Sequence, residues 1–435
     1  MTTDADRVSR RRFLGAAAAT AAGTWTFLGA SSARGQAATK VLKAGLIGCG
    51  GRGTGAAVNC IEAGKQLGID VRFTALADAM PDRLASSRNR IKKAGSEVDD
   101  ARCFVGFDAY RKLVDTDVDL VLMATPPGFR PPHFEAAVQA GKHVFMEKPV
   151  AVDPVGCRRV YAAGELAKKK KLSVMPGTCL RHHVGYAGTR TLVADGMMGR
   201  VLGGTVYYCT RRLGFRKRPA EWSDAEYMVR NWQNFSQLSG DHIVEQHVHT
   251  LDMLNWTLGA TPLVAVAVGG RHHRKTGNQF DFFSVDLEYP NHVHVHSISR
   301  QINGCWNRGN GLELNGDKGY SSGTRGVVLW DGSKLPVPEL KWHRSMYVQE
   351  HVVLLDSILH EKAYNDTVGV TDATLTAIMG RVAAYTGKRI EWRHLVEDKG
   401  KPELYNLELK PSAADFEAGK VQAPPDDVIP HPGKA

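Results

Sequence analysis

The sequence lacks the features that mark several large classes of protein. Its seven cysteines are scattered and include no CxxC pair, which argues against a zinc ribbon or a disulfide framework and favours free, buried cysteines. No segment after residue 40 is apolar for long enough to span a bilayer, and no internal repeat is evident. The net charge is +11, but the basic residues form no stripe interleaved with aromatics, so nucleic-acid binding is disfavoured. Attraction to anionic sugars or to a membrane surface stays open.

Residues 1–38 are predicted to be a targeting segment and linker. The stretch SRRRFL precedes an Ala-rich run that ends near Ala30, and small residues follow, with cleavage candidates after Ala33 and Ala37. A charged region, a short apolar run and small residues in that order are typical of a secretory signal. Paired arginines before Phe-Leu resemble the twin-arginine type. We therefore expect an exported, periplasmic protein that uses the twin-arginine machinery; a basic arm without a targeting role is the alternative.

A glycine-rich turn follows the first predicted strand. Val41–Ile47 is a short apolar run, as expected of a buried parallel strand, and Ala56–Gly64 is predicted to be helical. Between them, a GxGxxG pattern permits a tight turn, close approach of a pyrophosphate and helix–strand packing, with the helix N-terminus facing the phosphates. The candidate cofactor residues in this turn are Gly48, Gly50, Gly51, Arg52 and Gly53.

An acidic residue ends the second predicted strand. Val71–Ala77 is apolar and runs directly into Asp78. A carboxylate at this position binds both ribose hydroxyls of a dinucleotide and repels a 2′-phosphate. NAD is therefore favoured over NADP, although Arg83 keeps NADP open.

Strands and helices continue to alternate up to residue 150. Val118–Ala124 and Lys142–Met146 are predicted strands, and Asp108–Asp115 and His133–Ala140 are predicted helices. This alternation predicts a doubly wound parallel sheet over residues 39–150. Ligands of such sheets bind beyond the carboxyl ends of the strands. The remaining cofactor candidates are the residues that lie there, Thr125, Pro126, Pro127, Glu147 and Lys148.

Four stretches carry a resemblance to a known family. GLIGCGGRG, ATPP, GKHVFMEKPVA and GDHIVEQHVHTLDMLNW together resemble the glucose–fructose oxidoreductase and inositol dehydrogenase family, and the EKP motif is the most specific. The resemblance implies an α/β Rossmann domain followed, over residues 151–395, by an α+β domain with a large open, mostly antiparallel sheet. It implies a nicotinamide cofactor, a polyhydroxylated substrate and homo-oligomers formed through that sheet. It also implies that Lys148 lies at the nicotinamide and the reacting hydroxyl, where a lysine can share in proton transfer.

The second-domain motif predicts a catalytic face on one helix. On a helix over residues 241–258, Glu245, His249 and Asp252 are spaced i, i+4 and i+7 and share a face. The resemblance maps His249 onto the family's histidine, so we interpret it as the general base. Glu245 would orient it, and Asp252 would be structural. The chain departs from the family pattern at Glu245, where relatives carry aspartate, and at Arg130, where many carry histidine.

Two histidine-rich stretches raise the alternative of a metal site, which we disfavour. On a strand, Glu245, His247 and His249 would share one face as metal ligands, but on a helix His247 points about 200° away from Glu245. A second, alternating series is expected to line a polar or oligomer-facing sheet surface. That series comprises His292, His294 and His296.

Substrate contacts are predicted on a loop and one aromatic residue. Arg181, His182 and Tyr186 follow a short strand at Leu172–Met175, and in relatives this loop faces the substrate. Trp232 could stack on a sugar ring, although core packing explains a tryptophan equally well. Residues 396–435 are expected to form a C-terminal extension that becomes a loose tail after about residue 411.

These observations predict an exported oxidoreductase with a tightly bound NAD or NADP that acts on a sugar, cyclitol or glycoside hydroxyl. Tight binding is expected because little free NAD exists outside the cytoplasm. One alternative is a glycoside-cleaving enzyme that oxidises, eliminates and reduces back, with Glu245 or His182 as an additional base. A second alternative is a non-catalytic periplasmic sugar sensor.

Overall fold

A computed structural model describes residues 41–305, 309–321, 323–397, 409–426 and 428. The predicted targeting segment, residues 1–38, lies outside these residues. Among the described helices, none combines the length and the apolar character that crossing a bilayer requires.

The first sheet is parallel and has the strand order β3-β2-β1-β4-β5-β6. Its strands are β1 (Val41–Ile47), β2 (Asp70–Asp78), β3 (Cys103–Val105), β4 (Leu120–Met123), β5 (His143–Met146) and β6 (Val174–Pro176). Its helices are α1 (Gly51–Leu67), α2 (Pro81–Lys93), α3 (Ala109–Val114), α4 (Arg130–Gln139) and α5 (Pro154–Lys169). Helices α1 and α2 cover one face, and α3, α4 and α5 cover the other. The predicted doubly wound sheet is confirmed, and β6 extends it beyond residue 150.

The second sheet is mixed and mostly antiparallel, as expected. Its nine strands have the order β14-β13-β12-β11-β7-β10-β9-β8-β15, and among the described pairings β7 and β10 run parallel. The strands are β7 (Val201–Thr210), β8 (Val264–Gly270), β9 (Phe282–Tyr289), β10 (Val293–Gln301), β11 (Gly309–Gly316), β12 (Gly319–Ser321), β13 (Val327–Leu329), β14 (Lys334–Leu335) and β15 (Ile390–Glu391).

Helices cover one face of this sheet. The helices after β6 are α6 (Val184–Ala194), α7 (Asp224–Arg230), α8 (Ser236–Ser239), α9 (His242–Glu245), α10 (Val248–Leu258), α11 (Met346–Leu359), α12 (Thr367–Thr386), α13 (Trp392–Glu397) and α14 (Ala413–Glu417). Helix α12 is buried along nearly its whole length and packs against β8, α5 and α10. The opposite face leaves Val266 and Val268 exposed. His294 also lies on that face, 2.8 Å from Asp286.

Helix α11 returns from the second sheet to the first. It packs against α1, and Val348, Val352 and Leu355 join the core of the parallel sheet. The Rossmann unit is therefore completed by residues more than 150 positions beyond its last strand. This return places the polar residues of α11 beside the glycine-rich turn.

Two predicted elements are wrong. The single helix over 241–258 is interrupted, because α9 ends at Glu245 and α10 begins at Val248. At the break, the backbone N–H of His247 bonds to the oxygen of His242, five residues back instead of four, and the buried ring of His247 hydrogen-bonds to Ser297 and Thr250. The tail after residue 411 is not loose as far as it is described. Residues 413–417 form α14, and Phe416 is buried.

Candidate active site

The glycine-rich turn leaves room for a pyrophosphate. Gly48 has a φ of 93°, and a Cβ there would lie 2.7 Å from the carbonyl carbon of Ala124. A Cβ on Gly53 would lie 1.9 Å from the backbone oxygen of Gly48, so neither position accepts a side chain. Gly50 and Gly51, by contrast, have no atom within 4 Å of an added Cβ and line an open cavity. The start of α1 therefore presents free backbone N–H groups to an anion at close range.

This cavity has a volume of about 280 Å³. It is lined by residues of the Rossmann domain and by residues just before α8. The Rossmann domain contributes Asp78, Arg83, Phe107 and Phe129 to the lining. The segment before α8 contributes Trp232 and Gln233. Thr125 and Pro126 also line it, whereas Pro127 is buried next to them and is not part of the lining. The glycine-rich turn and the ends of β2 and β4 thus converge on one cleft with Trp232, whereas the predicted cofactor residues Glu147 and Lys148 do not belong to its lining.

Asp78 is held in place by the backbone. Its carboxylate accepts hydrogen bonds from the N–H of Cys49 at 2.6 Å and of Met80 at 2.7 Å. Burial raises its pKa from the ordinary value, and those two bonds oppose the rise. Each carboxylate oxygen can accept a further hydrogen bond, as a ribose diol requires, and Asp78 lines the cavity. The turn and Asp78 together fit the diphosphate and ribose of NAD.

Lys148 follows β5 and contacts the second domain. Its Nζ donates a hydrogen bond to the backbone oxygen of Glu245 at 2.5 Å, and Glu245 Oε1 lies 3.4 Å away. Both side chains are nearly buried, at 12% and 11% exposure. The strand end therefore meets the end of α9, which the sequence motif predicted to be close.

His249 completes this cluster although the helix before it is broken. Burial, followed by the positive charges of Lys148 and Arg52, lowers the pKa of His249 well below its ordinary value. The imidazole is therefore neutral near pH 7 and able to accept a proton. Within the described part of the chain, buried His249 Nδ1 and Glu245 Oε2 have no hydrogen-bond partner. The cluster holds hydrogen-bonding capacity that a polar ligand would satisfy.

Arg52 forms ion pairs that the sequence did not predict. Its guanidinium contacts Glu147 and also Glu350, whose Oε1 lies 3.1 Å from Nη2. Glu350 is fully buried on α11. Burial, then repulsion from Glu147, raises its pKa well above the ordinary value. The only sequence signal for Glu350 was a charged residue within the apolar run of α11. Arg52 lines the cavity and joins it to the strand end that carries Lys148.

Arg130, the departure from the family pattern, lies beneath the Lys148 strand end. It is buried and donates from Nη1 to the backbone oxygen of Pro149. Burial lowers its pKa to about 10, while the carboxylates of Glu147 and Glu245 act in the opposite direction. Arg130 therefore supports the backbone of the EKP turn.

The three residues of the predicted substrate loop, Arg181, His182 and Tyr186, lie in different surroundings. Arg181 binds Asp252 through two bonds of 2.8 and 2.6 Å and Asp366 through one of 2.7 Å. These bonds engage the guanidinium nitrogens, so Arg181 anchors the loop and is not a free donor for a sugar. The same bonds support the structural interpretation of Asp252. Burial lowers the pKa of His182 to about 4. Tyr186 lines a separate cavity beside β11.

The residues of the alternative metal site are not arranged as ligands. Both ring nitrogens of His247 are engaged, with Ser297 at 2.7 Å and Thr250 at 2.8 Å. His242 Nδ1 lies 3.0 Å from Asp241. Within residues that the structure describes, no three His, Cys, Asp or Glu side chains are grouped to hold a metal ion.

Comparison with known proteins supports the assignment of both domains. The model of the GFO/IDH/MocA oxidoreductase family, NAD-binding Rossmann fold, matches residues 42–178. The model of the family's C-terminal domain matches residues 186–322. Together the two matches cover more than half of the chain.

Individual relatives are more distant. An inositol 2-dehydrogenase of Acidothermus cellulolyticus is 26% identical over 56% of this chain and 61% of its own length. A 2,7-anhydro-N-acetylneuraminate hydratase of Escherichia coli is 28% identical over 40% of this chain and 43% of its own length. The chain thus spans less than two thirds of these curated relatives. A solved levoglucosan dehydrogenase with NADH and levoglucosan has a TM-score of 0.63 and 17% identity, over 81% of this chain and 99% of that one; at this identity the likeness shows the fold.

The expected fold class and the expected cofactor are therefore confirmed. The parallel sheet, its glycine-rich turn and Asp78 agree with the NAD-binding family model that spans them. With its two consecutive domain matches, the chain belongs to the GFO/IDH/MocA oxidoreductase family and carries that family's NAD-binding Rossmann domain.

Proposed function

We propose that this protein is an NAD-dependent oxidoreductase that transfers hydride to or from a hydroxyl-bearing carbon of a sugar, cyclitol or glycoside. The observation that carries the proposal is the cluster of Lys148, Glu245 and His249, with two buried polar atoms that lack partners in the described chain. Inositol and levoglucosan, the compounds named for the relatives above, are both polyhydroxylated. A hydroxyl group is small, neutral and both a donor and an acceptor, so it matches this cluster.

The chain's own residues account for the proton transfer. Bound NAD supplies the hydride acceptor. The lowered pKa leaves the imidazole of His249 unprotonated, with a ring nitrogen open to the hydroxyl proton during oxidation. The same shift makes the imidazole a weak base until substrate and cofactor are bound. Lys148 Nζ is held by the Glu245 backbone oxygen and donates a hydrogen bond to the reacting oxygen, which stabilises the charge that develops there. Glu245 Oε2 is left to orient a neighbouring hydroxyl.

We further propose that the protein is exported with NAD already bound and that the cofactor is not exchanged during turnover. This proposal rests on the twin-arginine-like segment of the sequence, because a dehydrogenase that released its cofactor outside the cytoplasm would stop after one cycle. A redox-neutral cycle follows, in which a second substrate, or the same molecule later in the reaction, restores the oxidation state of the cofactor.

The experiment measures the cofactor in protein purified without added NAD. We expect near-stoichiometric NAD(H) after denaturation and many turnovers in a buffer that contains none. Protein that is cofactor-free and works only with millimolar added NAD would contradict retention, while leaving the oxidoreductase proposal intact. Fractionation of cells that express the full chain, with and without a Lys-Lys substitution of Arg11 and Arg12, tests export.

Homo-oligomer formation through the second sheet is also proposed. The face opposite α12 exposes Val266 at 51% and Val268 at 67%, with Phe282 beside them. Exposed apolar side chains on a wide sheet are typical of a surface that another subunit covers. Val268→Asp should shift the protein to a smaller species in analytical ultracentrifugation, and an unchanged sedimentation coefficient would count against this surface.

A second candidate is cleavage of a glycoside by oxidation, elimination and reduction. It is favoured by Glu245 Oε2, a buried carboxylate oxygen without a described partner that could act as an additional base. The matching hydratase supports it weakly. Product analysis separates the candidates, because a net keto sugar indicates an oxidoreductase and a released aglycone without net redox indicates cleavage. Sugar binding without any turnover would instead indicate a sensor.

A further inference from the structure

The C-terminal segment 409–426 contacts the walls of the cofactor cavity. We refer to these described residues as the C-terminal strap. The strap lies outside both family matches, which end at residue 322. Its short helix α14 begins with a capping box between Ser412 and Asp415, which stabilises the turn that carries Phe416.

Phe416 packs against two aromatic residues that line the cavity. Its ring centroid lies 5.3 Å from that of Phe107 and 5.1 Å from that of Phe129, and only 1% of Phe416 is exposed. Phe107 follows β3 and Phe129 follows β4, on opposite sides of the strand that leads into the glycine-rich turn. One side chain of the strap therefore supports both walls from behind.

Polar contacts attach the strap to both domains. On the Rossmann side, Glu417 lies 3.2 Å from Arg111. On the other side, the Asp426 carboxylate accepts hydrogen bonds from the N–H of Gly277 at 2.7 Å and from the hydroxyl of Tyr227 at 3.2 Å. The strap thus spans the cleft in which NAD binds.

Apolar contacts hold the part of the strap that lies between Glu417 and Asp426. Val421 and Ala423 pack against a buried cluster that includes Phe129 and Val229, two residues of the cavity lining. The N–H of Ala423 also donates to Asp224 at 2.9 Å, at the start of α7. Each part of the strap therefore contacts a residue of the cavity wall or the element that carries one.

We propose that the C-terminal strap is part of the NAD site and slows cofactor release, with Phe416 as a positioning residue for Phe107 and Phe129. This inference rests on the proposed retention of NAD. Without Phe416 the two walls lose their common support, and the cleft can open on the adenosine side, where Phe107 lies next to the strand of Asp78. None of the described contacts of the strap involves Lys148, so the chemical step should be unaffected when NAD saturates the enzyme.

The test compares three variants of the full chain with the wild type. Phe416→Ala removes the wall support, Asp426→Ala releases the far attachment, and Lys420→Ala changes an exposed strap residue as the control. The measured quantities are the NAD dissociation rate, the Kd for added NAD, the kcat at saturating NAD and the Tm. We expect Phe416→Ala to accelerate release about ten- to hundredfold, since changes to binding contacts act mainly through the off-rate. Asp426→Ala should give a smaller increase, and Lys420→Ala none.

The outcomes decide between the proposals. Faster release with kcat within about twofold of the wild type supports the strap's role, given that binding and chemistry are separable. A folded Phe416→Ala variant that releases NAD at the wild-type rate overturns it, as does a loss of kcat without a change in release. If Phe416→Ala does not fold, Asp426→Ala carries the same two outcomes. A wild type that purifies without NAD defeats retention, but the ratio of variant to wild-type Kd still tests the strap.

Discussion

Lys148 Nζ lies 2.5 Å from the backbone oxygen of Glu245. This contact joins the end of a Rossmann strand to the first helix of the second domain's sequence motif, GDHIVEQHVHTLDMLNW. The contact fixes the lysine's amino group without using the carboxylate as its main partner. Glu245 Oε2 and His249 Nδ1 are left without described partners beside it. Under the proposed function, a substrate hydroxyl would meet a held donor, a carboxylate and a neutral imidazole at this place.

Replacing Lys148 with Met should reduce kcat by about 10²–10⁴, the usual contribution of a positioned acid or base. Bound NAD should remain, because the glycine-rich turn and Asp78, which line the cofactor cavity, do not include Lys148. Steady-state kinetics and cofactor content measure the two effects. Lys65→Met, on the exposed end of α1, is the control and should behave as the wild type. Near-full activity of Lys148→Met would refute the assignment.

Asp78→Ala should weaken NAD binding and narrow the discrimination against NADP. The carboxylate is the group at the strand end that can accept from the ribose hydroxyls, and its charge repels a 2′-phosphate. Titration of cofactor-stripped protein with each dinucleotide measures both Kd values. Asp70→Ala, at the start of the same strand, controls for loss of charge alone. A wild type that binds NADP more tightly than NAD would show that this role of Asp78 is wrong.

Asp252→Ala should destabilise the protein by about 3 kcal/mol, because it leaves the buried charge of Arg181 with one carboxylate in place of two. Urea unfolding measures the change in the free energy of unfolding. Asp117→Ala removes an exposed ion-pair partner and should cost under about 1 kcal/mol. If Arg181 only anchors the loop, the folded Asp252→Ala enzyme keeps a KM close to the wild type. A large rise in KM at unchanged stability would instead point to a substrate contact.

His247→Gln should flatten the pH dependence of stability. Burial, then the nearby His242, lowers the pKa of His247 to about 3, so between about pH 6.5 and 3 the unfolded chain binds a proton here that the native protein does not. The wild type therefore loses stability as pH falls through that window. Without the imidazole, the slope of the unfolding free energy against pH should decrease by about 1.4 kcal/mol per pH unit. Parallel slopes for the two proteins between pH 6 and 4 would contradict this.

Much of the Rossmann half could be predicted because its signals are local. β1 has the predicted bounds Val41–Ile47, since a continuous apolar run that enters a glycine-rich turn suits a buried parallel strand. The strand ends that carry Asp78, Thr125 and Lys148 follow from alternation, because parallel strands present their carboxyl ends at one edge.

The features that the sequence did not predict depend on contacts between residues far apart in the chain. His247, at the break between Glu245 and Val248, bonds through its ring to Ser297, fifty residues further along the chain, and periodicity within residues 241–258 could not show that contact. The sequence also could not show that Arg181 pairs with Asp252 and Asp366. The residues around a loop arginine do not reveal whether its partner is a carboxylate of the same chain or a hydroxyl of a ligand.

The sequence by itself determined the fold class, the cofactor and the position of the lysine, since each depends on a pattern within a few consecutive residues. Only the tertiary structure decided which later segments complete the site. Glu350 reaches Arg52 because α11 packs back on α1, and Phe416 reaches Phe107 and Phe129 because the aromatic cluster offers it a buried position. Both contacts span about three hundred residues, and the physical reason for each is burial, which no local stretch of sequence specifies.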